Sequence, residues 1–264
     1  MGLFSQLQDN PVGFLIGFLY AAPAVLIALT LHELAHGYVA LRCGDPTAQM
    51  MGRLSFNPLR HLNLFGTICM FLFGVGWANP VPVNPRNFRS FRRDDFLVSI
   101  AGIVTNLLLY VFSVVTSCII LRVMFSGDAF TPELGSFFLG GEGLGYLYLQ
   151  AGQENVGFDL FMMLDSNHVW LQHVLRFLSN FGICNLSLAL FNLLPFPPLD
   201  GYRLFNNILF KNRIRIPSRV MQVLIIGLLV VNYATNFVGK IISSVVYAVQ
   251  SGILFVILPL FGMR

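Results

Sequence analysis

Charge is what this sequence most lacks. Of its 264 residues only 11% are Asp, Glu, Lys or Arg, where soluble domains carry about a quarter. With 56% hydrophobic and 14% aromatic residues and a mean hydropathy of +0.72, the chain reads as an integral membrane protein. The net charge of +4 is small and the basic residues are clustered, which favours membrane orientation over nucleic-acid binding. Paired cysteines are missing too. Cys43, Cys69, Cys118 and Cys184 show no CxxC spacing, so neither a disulfide framework nor a thiol metal site is expected. The N-terminal stretch MGLFSQLQDN has no Lys or Arg and so lacks the basic region of a cleavable signal peptide. Residues 126–168 also have no Lys or Arg, although they contain Asp128, Glu133, Glu142, Glu154, Asp159 and Asp165.

What is present is a series of apolar runs long enough to span a bilayer, at 11–41, 95–125, 170–194, 217–238 and 240–262, with a borderline run at 61–78. Arginines and lysines gather at 42–60, 79–94 and 195–219. By the positive-inside rule these segments are cytoplasmic and 126–168 faces the opposite side. Both ends of 61–78 then lie on the cytoplasmic side, so that run is expected to re-enter or pack within the protein. The reading is an all-α polytopic membrane protein of about five to six transmembrane helices, with a re-entrant or short extended element. Its N-terminus is outside and its C-terminus inside. It forms a single membrane-embedded domain over 1–264, with a core at 11–210, a C-terminal helical pair at 217–262 and a non-cytoplasmic loop at 126–168.

Inside the first run stands HELAH, residues 32–36. On a helix, residues i and i+4 share a face, so His32 and His36 can offer imidazole nitrogens to one metal ion while Glu33 sits beside them. This HExxH pattern is the zinc-binding pair with its general base. The bland alternative, two hydrogen-bonded core histidines and a solvated glutamate, must account for three ionisable groups in lipid, where such groups are costly. A helix reaching Arg42 at the interface puts His36 about 9 Å and His32 about 15 Å below the cytoplasmic surface. The site is therefore near the cytoplasmic side.

A catalytic zinc needs a third protein ligand and one open position. His168 and His173 fall near the outer end of their span, and His61 reads as a loop residue. In FNLLPFPPLDGYRLF the prolines end a helix and deliver Asp200 at about the depth of HExxH. Asp200-Gly201 reads equally well as a turn. The metal site needs one more ligand, however, and this is the best-placed acid.

HELAH at 32–36, FNPLRHL at 56–62, GWANPVPVNP at 76–85, AGIVTN at 101–106 and NLLPFPPLDG at 192–201 together resemble the site-2 protease family of intramembrane zinc metalloproteases. The resemblance implies one Zn2+ per chain held by His32, His36 and Asp200, with Glu33 as catalytic base. It implies that Gly102 and Asn106 belong to a second core motif, that Asn192 opens a third, and that the segment carrying Asn79, Val81 and Val83 pairs with substrate. The implied substrate is a membrane protein cut in or near its transmembrane helix, in contact with the lipid bilayer. Departures from the pattern are Ile103 where Pro is common, Asn79 where Lys is common and Tyr202 where a second Gly is common. Two rival classes use the same residues. A polytopic metal transporter would carry polar groups across the whole membrane, and the outer halves of the spans have almost none. A catalytically inactive membrane scaffold would leave Glu33, which is not a ligand, without an evident structural job.

Overall fold

The computed structural model describes residues 11–63, 66, 78–124, 169–214, 216, 217, 220, 227, 237–257 and 260. The loop 126–168 and the greater part of the expected runs 217–238 and 61–78 fall outside the described residues. Among the described residues the protein is helical and without strands. Helix α1 covers Pro11–Arg42, the one-turn α2 Thr47–Met50, α3 Phe91–Met124, α4 Val169–Leu193, α5 Asp200–Phe210 and α6 Phe237–Ile257. Three of these, α1, α3 and α4, are long and apolar enough to cross a membrane. They match the runs expected at 11–41, 95–125 and 170–194.

The three long helices pack against one another, and the sequence shows how. Along α1 the buried positions Ala24, Ala28, His32, His36 and Ala40 recur every four residues, which puts them on one face. Ala24 and Ala28 admit Phe181 of α4, with Phe177 and Leu188 around it. Small residues at this spacing let helix backbones approach closely in lipid, where packing replaces the hydrophobic drive. The two histidines continue the same stripe. The opposing face of α3 carries Asp95, Val98, Gly102, Asn106 and Tyr110; four of these are at most 5% exposed. The outward faces keep large apolar side chains, such as Leu19, Leu108 and Phe112, exposed, as lipid contact requires.

After α1 ends at Arg42 the chain turns at Gly44, whose φ of +105° suits a residue without a Cβ, and the Asp45 amide returns to the Ala40 carbonyl. Two 3-10 turns, Pro58–Arg60 and Pro85–Asn87, are capped by the side chains of Asn57 and Asn84. Between them the chain comes back on itself. Leu62 and Ala78 form an isolated antiparallel bridge, and the Asn79 amide donates to the His61 carbonyl at 2.6 Å. The two ends of the 61–78 run are therefore side by side. After the Pro-rich break, α5 doubles back beneath α4. A Cβ on Gly201 would lie 2.3 Å from the Leu193 carbonyl oxygen, so only glycine permits this approach.

Cys43, Cys118 and Cys184 are free thiols, as the spacing predicts, and Cys69 lies outside the described residues. Trp170 is exposed at the start of α4, where a tryptophan suits a membrane interface. His173 is exposed and bonds to the Tyr20 hydroxyl. His61 is a loop residue, as expected, but a buried one whose Nε2 meets the Ser55 carbonyl.

Candidate metal centre

The buried stripe of α1 faces Gly102 of α3 and the first residue of α5. His32 Nε2 lies 3.1 Å from Asp200 Oδ2, His36 Nε2 lies 3.0 Å from the same oxygen, and the two Nε2 atoms are 3.1 Å apart. The sequence spacing brings the histidines together. The Pro-rich break delivers Asp200 from 164 residues away. Asp200 opens α5, where the helix dipole favours a carboxylate.

His36 Nδ1 is 2.7 Å from the Val98 carbonyl. A carbonyl only accepts, so Nδ1 carries the proton there, and in a neutral imidazole Nε2 then holds a lone pair. That lone pair, the carboxylate oxygen and the second Nε2 all point at one spot. Three donors converging in this way suit a cation. A tetrahedral zinc with bonds of about 2.0–2.1 Å would separate its ligands by about 3.3 Å, close to the distances found. The residues fit the metal. His32, His36 and Asp200 are also the group among the described residues whose donor atoms could hold an ion.

Gly102 makes room for this cluster. A Cβ at that position would lie 2.4 Å from His32 Cε1 and 2.5 Å from His36 Nε2. One turn further along α3, Asn106 is fully buried, and both its amide nitrogen and oxygen have no partner among the described residues. Such groups are rare and call for an explanation. Asn192 is half-buried in the last turn of α4, and no hydrogen bond ties it to the cluster.

Glu33 turns toward the segment before α3. Its Oε2 accepts from the Val81 amide at 2.8 Å, which corrects the expectation that this glutamate has no structural job: it ties the segment to α1. Val81 itself is buried, and Val83 is half-buried. The Asn79 and Pro80 carbonyls accept from Arg53. Further along, Asp45 takes the amides of Thr47 and Asn84 and the side-chain amide of Asn87. Burial pushes the Asp45 carboxyl up, but these donors and the Thr47 hydroxyl outweigh it and hold the group below the usual carboxylate range. Sequence reasoning missed Asp45, Arg53 and Asp95, a buried acid on α3 that bonds to Arg203, Asn207 and Asn212. The available signals were an acid in the turn Gly44-Asp45-Pro46 and a second acid, Asp95, just inside an apolar run.

Beside the site, α1 and α3 enclose an open apolar groove of about 690 Å³, lined by residues such as Leu31, Leu34, Tyr38, Leu97, Ile100 and Val104.

The family described as "Peptidase family M50" matches residues 20–234. The chain is 38% identical over 189 residues to the "Putative zinc metalloprotease YwhC" of Bacillus subtilis, covering 72% of this chain and 68% of that protein. It is 29% identical over 107 residues to the "Putative zinc metalloprotease Rip2" of Mycolicibacterium smegmatis, 39% of this chain and 41% of that one. No solved structure gives a significant match.

Proposed function

This chain belongs to peptidase family M50, the site-2 protease family, and is an intramembrane zinc metalloprotease; on that premise we propose how its residues divide the work. His32, His36 and Asp200 hold the zinc and Glu33 is the catalytic base. The observation that carries this reading is the convergence of the three donor atoms at 3.0–3.1 Å. Zinc supplies Lewis-acid polarisation of the scissile carbonyl and makes the attacking water more acidic. Glu33 takes the proton from that water and passes it to the leaving amine. Its bond to the Val81 amide holds the carboxylate in place for both transfers. Asn106, buried and without a partner among the described residues, offers an amide to substrate or water, and Asn192 is assigned a supporting role in the same site.

The substrate is a membrane protein cut in or near its transmembrane helix. A helix hides its carbonyls in internal hydrogen bonds, so the cut segment must first be drawn out. The segment 78–84 is suited to receive it. The Val83 amide and the Val81 and Val83 carbonyls have no hydrogen bond among the described residues, which leaves backbone groups for an added strand. Pro80 and Pro82, which lack amides, are tolerated at such an edge.

The domain is a single membrane-embedded unit with its active site near the cytoplasmic side, N-terminus outside and C-terminus inside. The pairing of Leu62 with Ala78 supports a re-entrant 61–78. Single cysteines replacing Leu59 and Arg86, both exposed, should label from the cytoplasmic face in a cysteine-free background, and one replacing Glu142 from the other. Opposite-side labelling of Leu59→Cys and Arg86→Cys would make 61–78 a span.

The test of the reading is Glu33→Gln in purified protein. Cleavage of a single-span substrate should vanish while about one zinc per chain stays bound, since three protein ligands remain. Full activity in that variant rules Glu33 out as the base.

A further inference from the structure

Asp95 lies one helical turn before Val98 and two turns before Gly102, and the sequence offers no reason to bury it. Its side chain is 8% exposed and its carboxylate meets Arg203 Nη2 at 2.9 Å. It also accepts from the side-chain amides of Asn207 at 3.2 Å and Asn212 at 3.1 Å. Asn207 in addition donates to the Arg92 carbonyl at 2.8 Å. Burying a carboxylate without such partners would be costly.

What matters is where those partners sit. Arg203 and Asn207 follow Asp200 on α5 at i+3 and i+7, on one helix face. On α3, Asp95, Val98 and Gly102 have the same i, i+3, i+7 spacing. Both stretches are about 10.5 Å long at 1.5 Å per residue. The two faces run antiparallel, with Asp95 held by Arg203 and Asn207 at one end, and the His36 acceptor Val98, Gly102 and Asp200 meeting the histidines at the other. Asn212, in the left-handed turn after α5 (φ 61°), adds a tether beyond the helix end.

We propose that Asp95 is a positioning residue for the third metal ligand: by gripping α5 from α3, it fixes the height and direction at which Asp200 is presented to His32 and His36. The inference rests on the assignment of Asp200 as a zinc ligand. α3 thereby orients two ligands by different means, His36 through a backbone carbonyl and Asp200 through a carboxylate one turn away. Partners outside the ligand shell characteristically govern metal affinity in this way.

The experiment measures zinc release to a chromogenic chelator, and the visible spectrum of the cobalt-substituted protein, for the full chain in nanodiscs. Asp95→Asn and Arg203→Gln are compared with wild type, and Asp95→Asn is repeated in an Asp200→Ala background. Arg203→Gln alters the more exposed partner and serves if Asp95→Asn does not fold. Zinc should leave about ten-fold faster from each single variant, by the usual scale for outer-shell partners, and the cobalt spectrum should change. Asp95→Asn should add nothing once Asp200 is gone. Wild-type release rates in both single variants, with fast release from Asp200→Ala, overturn the role of Asp95 alone. Equal acceleration by Asp95→Asn with and without Asp200 also overturns it, because the residue would then act on the fold at large. An unchanged rate in Asp200→Ala overturns the ligand assignment and the inference with it.

Discussion

The two halves of the site are built differently. The metal-holding half is made of helices. His32 and His36 sit on α1 and Val98 and Gly102 on α3, at positions fixed by helical periodicity, and Asp200 stands at the start of α5, where the Pro-rich break delivers it. The other half is a non-helical segment, 78–84, held in place by side chains reaching its backbone: Glu33 on the Val81 amide, Arg53 on the Asn79 and Pro80 carbonyls, and Asp45 on the Asn84 amide. The helical half is fixed chiefly by packing, with the Asp95 contacts to Arg203 and Asn207 holding α5 against α3. The loop half is fixed by individual hydrogen bonds, most of them to charged groups, each contributing about 1.5–3 kcal/mol. On the proposed reading, the geometry that would hold the metal is rigid, while the segment that would receive a substrate strand is secured at a few points and keeps backbone groups open between them.

Breaking the helical half should cost most. In Gly102→Ala the added methyl would lie 2.4 Å from His32 Cε1 and 2.6 Å from His32 Nδ1, closer than Cβ atoms come to any neighbour. The rings are confined by their own burial, so they must turn or α1 and α3 must part. Displacements near 1 Å can cost about a hundred-fold in rate, and here the ligands themselves move. Zinc content and cleavage should therefore fall together, in metal analysis and a turnover assay on the same preparation. An active, zinc-replete Gly102→Ala protein would mean the histidines are not the ligands.

The same division explains what could be read from the sequence. HELAH declares itself because both histidines and the glutamate lie within five residues, at a spacing that a helix converts into one face. The buried stripe through Ala24, Ala28, His32, His36 and Ala40 was there to be read as well. Asp200 was harder, since only its depth beside a Pro-rich break separated a ligand from a turn. The three long helices followed from apolar length. The roles of Asp45 and Asp95 were not legible, because the partners that matter beyond the local Thr47 turn are 39 and 42 residues from Asp45 and 108 or more from Asp95. No local pattern encodes such a pairing. The structural job of Glu33 was missed for the same reason, Val81 lying 48 residues away.

A smaller effect is expected in the loop half. Asp45→Asn keeps the shape of the side chain, yet it cannot accept from all its donors at full strength. The segment should loosen at Asn84 while the Val81 contact to Glu33 persists part of the time. Cleavage should drop on the order of ten-fold, short of the hundred-fold expected for a fixed 1 Å displacement, and zinc should remain bound. Loss of zinc in this variant would erase the distinction between the two halves.

The mildest test leaves the sequence intact and uses acid. The folded-state pKa of Asp45 is depressed below its ordinary value, about 3.9 in an unfolded chain. The sign follows from linkage: a depressed carboxylate stabilises the folded arrangement at all pH values above the unfolded pKa, and that contribution is lost as pH falls through the folded one. The clamp on Asn84 and Asn87 should therefore hold at pH 5 and weaken progressively below about 4, while the apolar packing of α1, α3 and α4, which has no such dependence, persists. Pepsin, active across this range, reports the difference as nicking of the 84–90 stretch. Wild-type protein in nanodiscs should become susceptible there as pH falls below about 4, and Asp45→Asn should be susceptible already at pH 5. Equal resistance of the two proteins at pH 5 would show that the carboxylate does not hold the segment, and that the loop half owes its position to Arg53 and Glu33 instead.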